Sequence, residues 1–126
     1  MKLLLDTCAL LWWTLEPKML SHDAIKLIDK EETVLLSSMS IWEVGVKIKT
    51  GKLDIKMDIQ AYLRKLKMLN IQFIPVNEEI WVKNLQLNWE HRDPTDRTIV
   101  ATALAYSASI VTKDEGIIHF YPQTIC

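Results

Sequence analysis

This chain contains very few of the residues that form linkers, loops and disulfide frameworks. Its 126 residues include three glycines, four prolines and two cysteines. That scarcity excludes collagen-like, low-complexity and disulfide-rich secreted proteins, and it predicts short connections between regular elements. The apolar share of 49% and the charged share of 25% are those of an ordinary globular protein. We therefore expect a single domain spanning residues 1–126.

Long hydrophobic runs and an excess of one charge are also missing. Asp6 ends the N-terminal apolar stretch after three leucines, which is unlike a secretion signal, and no run approaches the length that spans a membrane. Cys8 and Cys126 lie far apart, so we expect reduced thiols in a cytoplasmic protein, with Cys8 buried. Because the net charge is −1, any nucleic-acid binding has to use a local basic patch.

What is present is an alternation of short apolar runs with helical patterns. Apolar runs predict strands at 3–5, 34–37, 72–76 and 110–112. Helical periodicity and capping residues predict helices at 8–15, 21–30, 39–50, 58–69 and 78–87, and a long helix from Asp93-Pro94 onward. Strands that alternate with helices indicate an α/β fold of three α/β/α layers around a central, mainly parallel sheet.

Four acids stand at the strand ends or in the opening turns of the helices that follow: Asp6, Glu43, Asp96 and Asp114. In an open α/β sheet, ligands bind outside the carboxyl ends of the strands. Two carboxylates about 4 Å apart repel by on the order of 4 kcal/mol at an effective dielectric constant near 20. Protons or a cation must neutralise such a group, and at neutral pH a hard divalent cation with oxygen ligands fits best. The pattern predicts a metal-dependent enzyme.

Four sequence motifs carry a family resemblance. Leu5-Asp6-Thr7-Cys8-Ala9 resembles the opening motif of PIN-domain ribonucleases, in particular the VapC-type toxins of bacterial toxin–antitoxin modules. Ser40-Ile41-Trp42-Glu43-Val44 is similar to the second motif, His91-Arg92-Asp93-Pro94-Thr95-Asp96-Arg97 to the third, and Val111-Thr112-Lys113-Asp114 to the fourth. Each motif is weak alone, but all four occur in order over nearly the whole chain. The resemblance implies a PIN-like fold and RNA cleavage with one or two Mg²⁺ or Mn²⁺ ions.

The resemblance also implies roles for individual residues. Asp6, Asp96 and Asp114 would bind the metal directly or through water, and Glu43 would complete the set by orienting or deprotonating the attacking water. Further residues would support these four. The side chains expected to orient the four acids are those of Thr7, Thr112 and Asp93. The cations expected to contact the RNA phosphate are Arg92, Arg97 and Lys113.

Ordinary structural roles compete with these assignments. Asp93 and Asp96 stand where acids cap a helix and favour its dipole, and Asp93 is expected to be the cap. Glu43 could be a buried acid paired with a lysine, and Asp114 a loop acid. The one basic concentration could bind the RNA backbone along a track toward the acids, or it could simply be a solvent-exposed helix face. It consists of Lys47, Lys49, Lys52, Lys56, Arg64, Lys65 and Lys67.

Other functions are compatible with an acidic α/β site. A receiver-type phosphotransfer domain needs an aspartate after the third strand, where this chain has Val76-Asn77, and a dehalogenase-type phosphatase needs one two residues after Asp6, where it has Cys8. An inactive PIN-like binding module is the third possibility. The expected partners are an RNA substrate, a cognate antitoxin and a second copy of the chain. The dimer is expected because the apolar surface of 8–15 and the Trp81 helix exceeds what one small sheet can cover.

Overall fold

The computed structural model describes residues 1–31 and 33–126, and strands alternate with helices throughout them. Five strands and seven α-helices follow in chain order within these residues. They are β1 (Leu3–Leu5), α1 (Thr7–Leu15), α2 (His22–Lys30), β2 (Val34–Ser37), α3 (Ser38–Lys49), α4 (Ile59–Lys67), β3 (Ile71–Ile74), α5 (Glu78–Gln86), α6 (Pro94–Tyr106), β4 (Ser109–Val111), α7 (Glu115–Phe120) and β5 (Thr124–Ile125).

All the strand pairs are parallel, and the order across the sheet is β3-β2-β1-β4-β5. Leu5 at the end of β1 is in register with Leu36 of β2 and with Val111 of β4. The carboxyl ends of these three central strands therefore meet at one edge of the sheet. Residues that follow them open the helices α1, α3 and α7, so this edge is where the acidic motifs come together.

Helices cover both faces of the sheet, because successive residues of β1 point in opposite directions. Leu3 and Leu5 pack into one fully buried cluster with residues of α1 to α4, whereas Leu4 packs into a second cluster with residues of α5 to α7. Tyr62 of α4 is buried in the first cluster and Ile99 of α6 in the second. The result is the predicted three-layer α/β/α arrangement.

The elements differ from the sequence-based expectations at the C-terminal end. The four predicted strands and six predicted helices are present with shifts of one or two residues, and Gly51 has the positive φ of 75° expected just beyond the end of α3. Helix α7 and strand β5 were not predicted. Both are short, and β5 has only two residues, so neither offers a periodic pattern long enough to recognise. Within the described residues, no helix has the length and apolar character needed to cross a membrane.

The expectation that Cys8 is buried is wrong. Cys8 is the second residue of α1, and its side chain is exposed on the cavity at the carboxyl edge of the sheet. The buried positions of this helix are Thr7, Ala9 and Leu10. Cys126 is exposed as well, and both cysteines are free.

Candidate active site

A cavity of about 310 Å³ opens at the carboxyl edge of the central strands, and all four predicted acids line it. Asp6 follows β1, Glu43 lies on α3, Asp96 lies in the first turn of α6 and Asp114 follows β4. The other polar or charged side chains that border the cavity include Thr7, Lys47, Asp93 and Lys113. Residues separated by more than a hundred positions in sequence are thus brought to one site.

Asp6 is the most deeply buried of the four acids, with 5% of its surface exposed. It is the N-cap of α1: Oδ1 accepts a hydrogen bond from the Ala9 N–H at 2.7 Å, and Oδ2 accepts one from the Thr112 hydroxyl at 2.5 Å. Burial raises the pKa of Asp6 above its ordinary value, the two hydrogen bonds oppose this, and the negative charges of Asp114 and Glu43 raise it further. Ionising Asp6 therefore costs more free energy than ionising an aspartate in water.

Asp114 is an N-cap too, since its Oδ1 accepts a hydrogen bond from the Ile117 N–H at 2.9 Å at the start of α7. The Asp114 backbone N–H donates to Oγ1 of Thr112 at 2.9 Å. The same hydroxyl donates to Asp6, so Thr112 connects two acids that follow neighbouring strands. Thr112 therefore makes the contacts that an orienting role requires, and the role itself stays a prediction.

Asp96 projects into the cavity from the first turn of α6, and its Oδ2 is 2.8 Å from Nε2 of His91. Burial is the largest influence on this carboxyl and raises its pKa to about 6. The hydrogen bond and charge of His91 lower that pKa, and Asp93 and Asp114 raise it. Strongly perturbed carboxyls in a cleft are typical of functional sites.

Glu43 and Asp93 complete the acidic wall. Glu43 is half-buried on α3 and has no ion pair with a lysine in the described residues, unlike the structural role considered for it. Asp93 is the N-cap of α6, where its Oδ1 accepts hydrogen bonds from the N–H groups of Thr95 at 2.9 Å and Asp96 at 3.1 Å. Asp93 thus fixes the backbone of the turn that carries Asp96.

Comparison with known proteins identifies the family. The profile of the PIN domain matches residues 3–121, which include all four acids and nearly the whole chain. This chain belongs to the PIN-domain family. PIN domains are metal-dependent nucleases that generally use a divalent cation, so an acidic cavity at the carboxyl edge of the sheet is the kind of site the family requires.

Individual PIN-domain relatives agree over the full length. The chain is 24% identical over 124 residues to Ribonuclease VapC22 of Mycobacterium tuberculosis, covering 97% of this chain and 95% of that protein. A toxin–antitoxin complex from Klebsiella pneumoniae matches with a TM-score of 0.71 at 18% identity, over 99% of this chain and 97% of the other. VapBC2 from Rickettsia felis, bound to a DNA fragment from its promoter, also matches with a TM-score of 0.71 at 18% identity, over 98% of this chain and 96% of the other. The solved structures establish the same fold.

Arg97 does not have the role in this PIN domain that its motif suggested. Its guanidinium points into the protein and donates to the carbonyl oxygens of Asn84 at 2.6 Å, Leu87 at 3.5 Å, Trp89 at 2.5 Å and His91 at 3.1 Å, and to Oδ1 of Asn84 at 3.2 Å. These five contacts use the five N–H donors of the side chain. Arg97 is therefore unavailable to an RNA phosphate and instead holds the segment between α5 and α6.

The side chains of Thr7 and Lys113 also have contacts other than those expected from the motifs. The Thr7 hydroxyl donates to Oγ of Ser40 at 3.0 Å, so it joins α1 to α3, and among the described residues no hydrogen bond connects it to a carboxylate. Lys113 lines the cavity, but its ammonium donates to the Met19 carbonyl and lies 5.3 Å from the ring centroid of Trp12. Arg92 is exposed and stays a possible phosphate contact.

Sequence reasoning undervalued Lys47 and His91. Lys47 lies one helical turn after Glu43 on α3 and faces the same cavity, whereas the sequence placed it in a long basic stretch. Other members of that stretch have local partners, since Lys56 pairs with Asp54 and Lys65 donates to the Thr14 carbonyl. The spacing of four between Glu43 and Lys47 was the available signal for Lys47. His91, the first residue of the third motif, is at the site through its contact with Asp96.

The donors of this PIN-domain site suit a hard cation. Asp6, Asp96, Asp114 and Glu43 offer carboxylate oxygens, which Mg²⁺ and Mn²⁺ prefer. Within the described residues, no three His, Cys, Asp or Glu side chains stand close enough together, as placed, to hold a metal ion as a group. Mg²⁺ is usually held by one or two carboxylates plus waters, so an open acidic cavity fits this ion better than it fits Zn²⁺, which needs a compact set of four ligands.

Proposed function

We propose that this protein is a Mg²⁺- or Mn²⁺-dependent endoribonuclease and the toxin of a toxin–antitoxin pair. The observation that carries the proposal is the convergence of Asp6, Glu43, Asp96 and Asp114 on one cavity, with the pKa values of Asp6 and Asp96 raised. Buried like charges of this kind are stable when a cation balances them. Membership of the PIN family and the similarity to Ribonuclease VapC22 support the same assignment.

Asp6, Asp96 and Asp114 would hold the cation, with Glu43 near it. A bound divalent cation supplies Lewis-acid chemistry, which balances charge on the phosphodiester and makes water acidic enough to attack phosphorus. Glu43 is suited to accept the proton of that water, because it faces the cavity and none of the hydrogen bonds or ion pairs of the described residues involves its carboxylate. Hydrolysis then forms a new bond from the water oxygen to phosphorus and breaks the bond to the leaving sugar oxygen, which takes up a proton.

Lys47, Lys113 and Arg92 are the cations we assign to the RNA backbone. The Lys113 ammonium has three donors, so it can contact a phosphate in addition to the Met19 carbonyl. Lys47 and Lys113 border the acidic cavity and Arg92 is exposed next to the capping residue of α6. Such contacts supply affinity that does not depend on base sequence. The remaining basic residues of α3 and α4 would extend the track away from the site.

The antitoxin is expected to cover an apolar groove that adjoins the site. This groove has a volume of about 400 Å³, is lined by Leu11, Trp12, Leu15, Leu53 and Ile55 among others, and shares Trp12 with the acidic cavity. One partner segment could fill the groove and place a basic side chain among the acids. The solved toxin–antitoxin complexes with this fold support such a partner.

A homodimer in the cytoplasm completes the proposal, but the surface expected for the dimer needs correction. Helix α1 packs on one face of the sheet and α5 on the other, so the two do not form one patch. Helix α5 alone exposes Trp81, Val82 and Leu85, with exposed fractions of 42%, 51% and 81%. These side chains lie on one side of the helix, so α5 is the surface we assign to the second copy. Light scattering at tens of micromolar should give twice the monomer mass.

The decisive experiment is RNA cleavage by the purified protein with Mn²⁺ or Mg²⁺, with and without a chelator. Asp6→Asn protein, purified in the same way, controls for contaminating nucleases. Cleavage that needs the metal and is lost in the variant supports the proposal. Equal cleavage by both proteins, or no cleavage with any tested RNA together with no metal binding, contradicts it and favours the inactive binding module.

A further inference from the structure

The segment between α5 and α6 carries a ring stack that ends at the acidic site. Trp89 lies between Phe120 and His91, with ring centroids 4.6 Å and 4.5 Å apart and planes inclined by 9° and 15°. His91 is the outer ring of this stack, and its Nε2 is the atom 2.8 Å from Oδ2 of Asp96. The stack fixes the plane of the imidazole, so it also fixes the direction in which Nε2 faces Asp96.

The backbone of the same residue is held independently. Arg97 Nη1 donates to the carbonyl oxygens of both Trp89 and His91, at 2.5 Å and 3.1 Å. Asp96 and Arg97 are neighbours on α6, so one contacts the His91 ring and the other contacts the His91 backbone. The imidazole therefore cannot shift along the segment without breaking contacts of Arg97.

The third side of the ring is closed by α7. A Cβ atom at Gly116 would lie 3.1 Å from Oδ1 of Asp114 and 3.4 Å from Cε1 of His91. The tight distance is the one to Asp114, and the distance to Cε1 is an ordinary van der Waals contact, so the His91 ring lies against the turn that carries Asp114. His91 thus packs against the elements of two acids, Asp96 and Asp114.

The three aspartates that would hold a metal differ in what orients them. Asp6 accepts hydrogen bonds from a helix N–H and from Thr112, and Asp114 accepts one from the Ile117 N–H. Within the described residues, His91 is the side chain that hydrogen-bonds the Asp96 carboxylate, and no backbone N–H does so. Backbone N–H groups thus help to orient Asp6 and Asp114, whereas within the described residues the orientation of Asp96 depends on the His91 side chain.

We propose that His91 is a positioning residue for catalysis: it donates Nε2–H to Asp96 and holds that carboxylate in the orientation that binds the divalent cation. This inference rests on the proposed function and adds a role for a residue outside the four acids. Hydrogen-bond partners of metal-binding carboxylates typically contribute about 10- to 100-fold to metal affinity or activity. The purpose of the Phe120–Trp89–His91 stack is then to fix one N–H donor.

The test compares three variants by Mn²⁺ binding, measured by titration calorimetry without RNA, and by RNA cleavage. His91→Phe keeps an aromatic ring on Trp89 but has no donor, and His91→Gln offers an amide N–H without the ring. His119→Phe is the matched control, because His119 is exposed on α7 and lies 3.8 Å from Glu115, outside the cavity. We expect His91→Phe to weaken Mn²⁺ binding about 10-fold or more and to lower kcat with little change in KM for RNA.

His91→Gln should recover part of the metal affinity, and His119→Phe should match wild type. Asp96→Asn removes the group on which His91 acts, so adding His91→Phe to Asp96→Asn should cause no further loss of metal affinity. Wild-type Mn²⁺ affinity in a folded His91→Phe protein would overturn the inference. If His91→Phe does not fold, the same comparison is made with His91→Gln. The inference is overturned if a His91 substitution weakens Mn²⁺ binding by the same factor in the wild-type and in the Asp96→Asn background. Failure of wild type to bind Mn²⁺ or cleave RNA instead refutes the proposed function.

Discussion

Thr112 and Asp6 are joined by a 2.5 Å hydrogen bond from the threonine hydroxyl to Oδ2 of the aspartate, although 106 positions separate them in sequence. The parallel pairing of β1 with β4 makes this contact possible, because it places Leu5 opposite Val111 and hence the next residues side by side. Oγ1 of Thr112 also accepts the Asp114 N–H. One hydroxyl therefore orders two of the four acids.

Thr112→Val should impair both stability and cleavage. Valine has nearly the same shape but leaves Oδ2 of Asp6 without a donor and the Asp114 N–H without an acceptor, which costs about 1 to 3 kcal/mol for a buried site. We expect a cleavage loss of about 10- to 100-fold. Thr112→Ser retains the hydroxyl and should recover most of the activity. Chemical denaturation and a Mn²⁺-dependent cleavage assay measure the two effects, and equal activity of the valine and serine variants would show that the hydroxyl does not orient the site.

Replacing the metal-binding aspartates should separate activity from stability. Asp6→Asn, Asp96→Asn and Asp114→Asn each remove a negative charge from a crowded site. We therefore expect cleavage to be abolished, Mn²⁺ binding to weaken, and the thermal midpoint in chelator to stay equal or rise. A large drop of that midpoint would return these acids to a structural role.

Asp93→Asn is the matched control for this series. Asp93 lines the same cavity, but it acts through Oδ1 as the cap of α6, and asparagine caps a helix about as well as aspartate. This variant should keep most of its activity and stability. Loss of cleavage comparable to that of Asp96→Asn would make Asp93 a direct participant.

The sequence was sufficient to predict the fold and the four acids, because both depend on local signals. Apolar runs, capping residues and Asp93-Pro94 mark the element boundaries, and parallel strands bring their following residues to one edge. The order of the four motifs along the chain indicated which acids belong to one site. These signals report which residues reach the edge, and they succeeded for Asp6, Glu43, Asp96 and Asp114.

The sequence could not predict what the neighbouring side chains contact. Arg97 and Arg92 flank the same acids in one motif, yet helical geometry turns Arg97 toward the carbonyl oxygens of the preceding segment and leaves Arg92 exposed. Thr7 and Thr112 both stand next to an acid, yet in the described part of the chain the Thr112 hydroxyl bonds to a carboxylate and the Thr7 hydroxyl bonds to Ser40. His91 reaches Asp96 because Trp89 and Phe120 stack beneath it, which depends on the packing of α7. Such directions follow from tertiary packing and have no periodic signature.

Arg97→Lys should destabilise the protein strongly, whereas Arg92→Lys should not. Lysine has three donors on one atom and cannot reach the carbonyl oxygens that the Arg97 guanidinium joins. We expect the free energy of unfolding to fall by on the order of 3 kcal/mol in Arg97→Lys, and to stay unchanged in Arg92→Lys, whose side chain is exposed. Denaturation in urea measures both. A wild-type unfolding midpoint for Arg97→Lys would show that its contacts contribute little.

Metal-free protein should become more stable as the pH falls from about 7.5 to about 5. The pKa of Asp96 is about 6 in the folded protein, against 3.8 for an unperturbed aspartate. Between these values the folded state binds more protons than the unfolded state, so protonation favours folding. Since one pKa unit corresponds to about 1.4 kcal/mol and solvent screens part of the effect, we expect a gain of about 1 to 2 kcal/mol.

Asp96→Asn isolates this contribution, because it cannot titrate while its shape is retained. Asp6, whose pKa is also raised, adds a change of the same sign in both proteins. The difference between wild type and Asp96→Asn, measured by urea denaturation in chelator at several pH values, should therefore grow toward neutral pH, with the variant the more stable protein there. Saturating Mn²⁺ should shrink that difference, because a bound cation favours the ionised carboxylate. A difference that does not vary with pH would mean that Asp96 ionises in the folded protein as freely as in the unfolded chain.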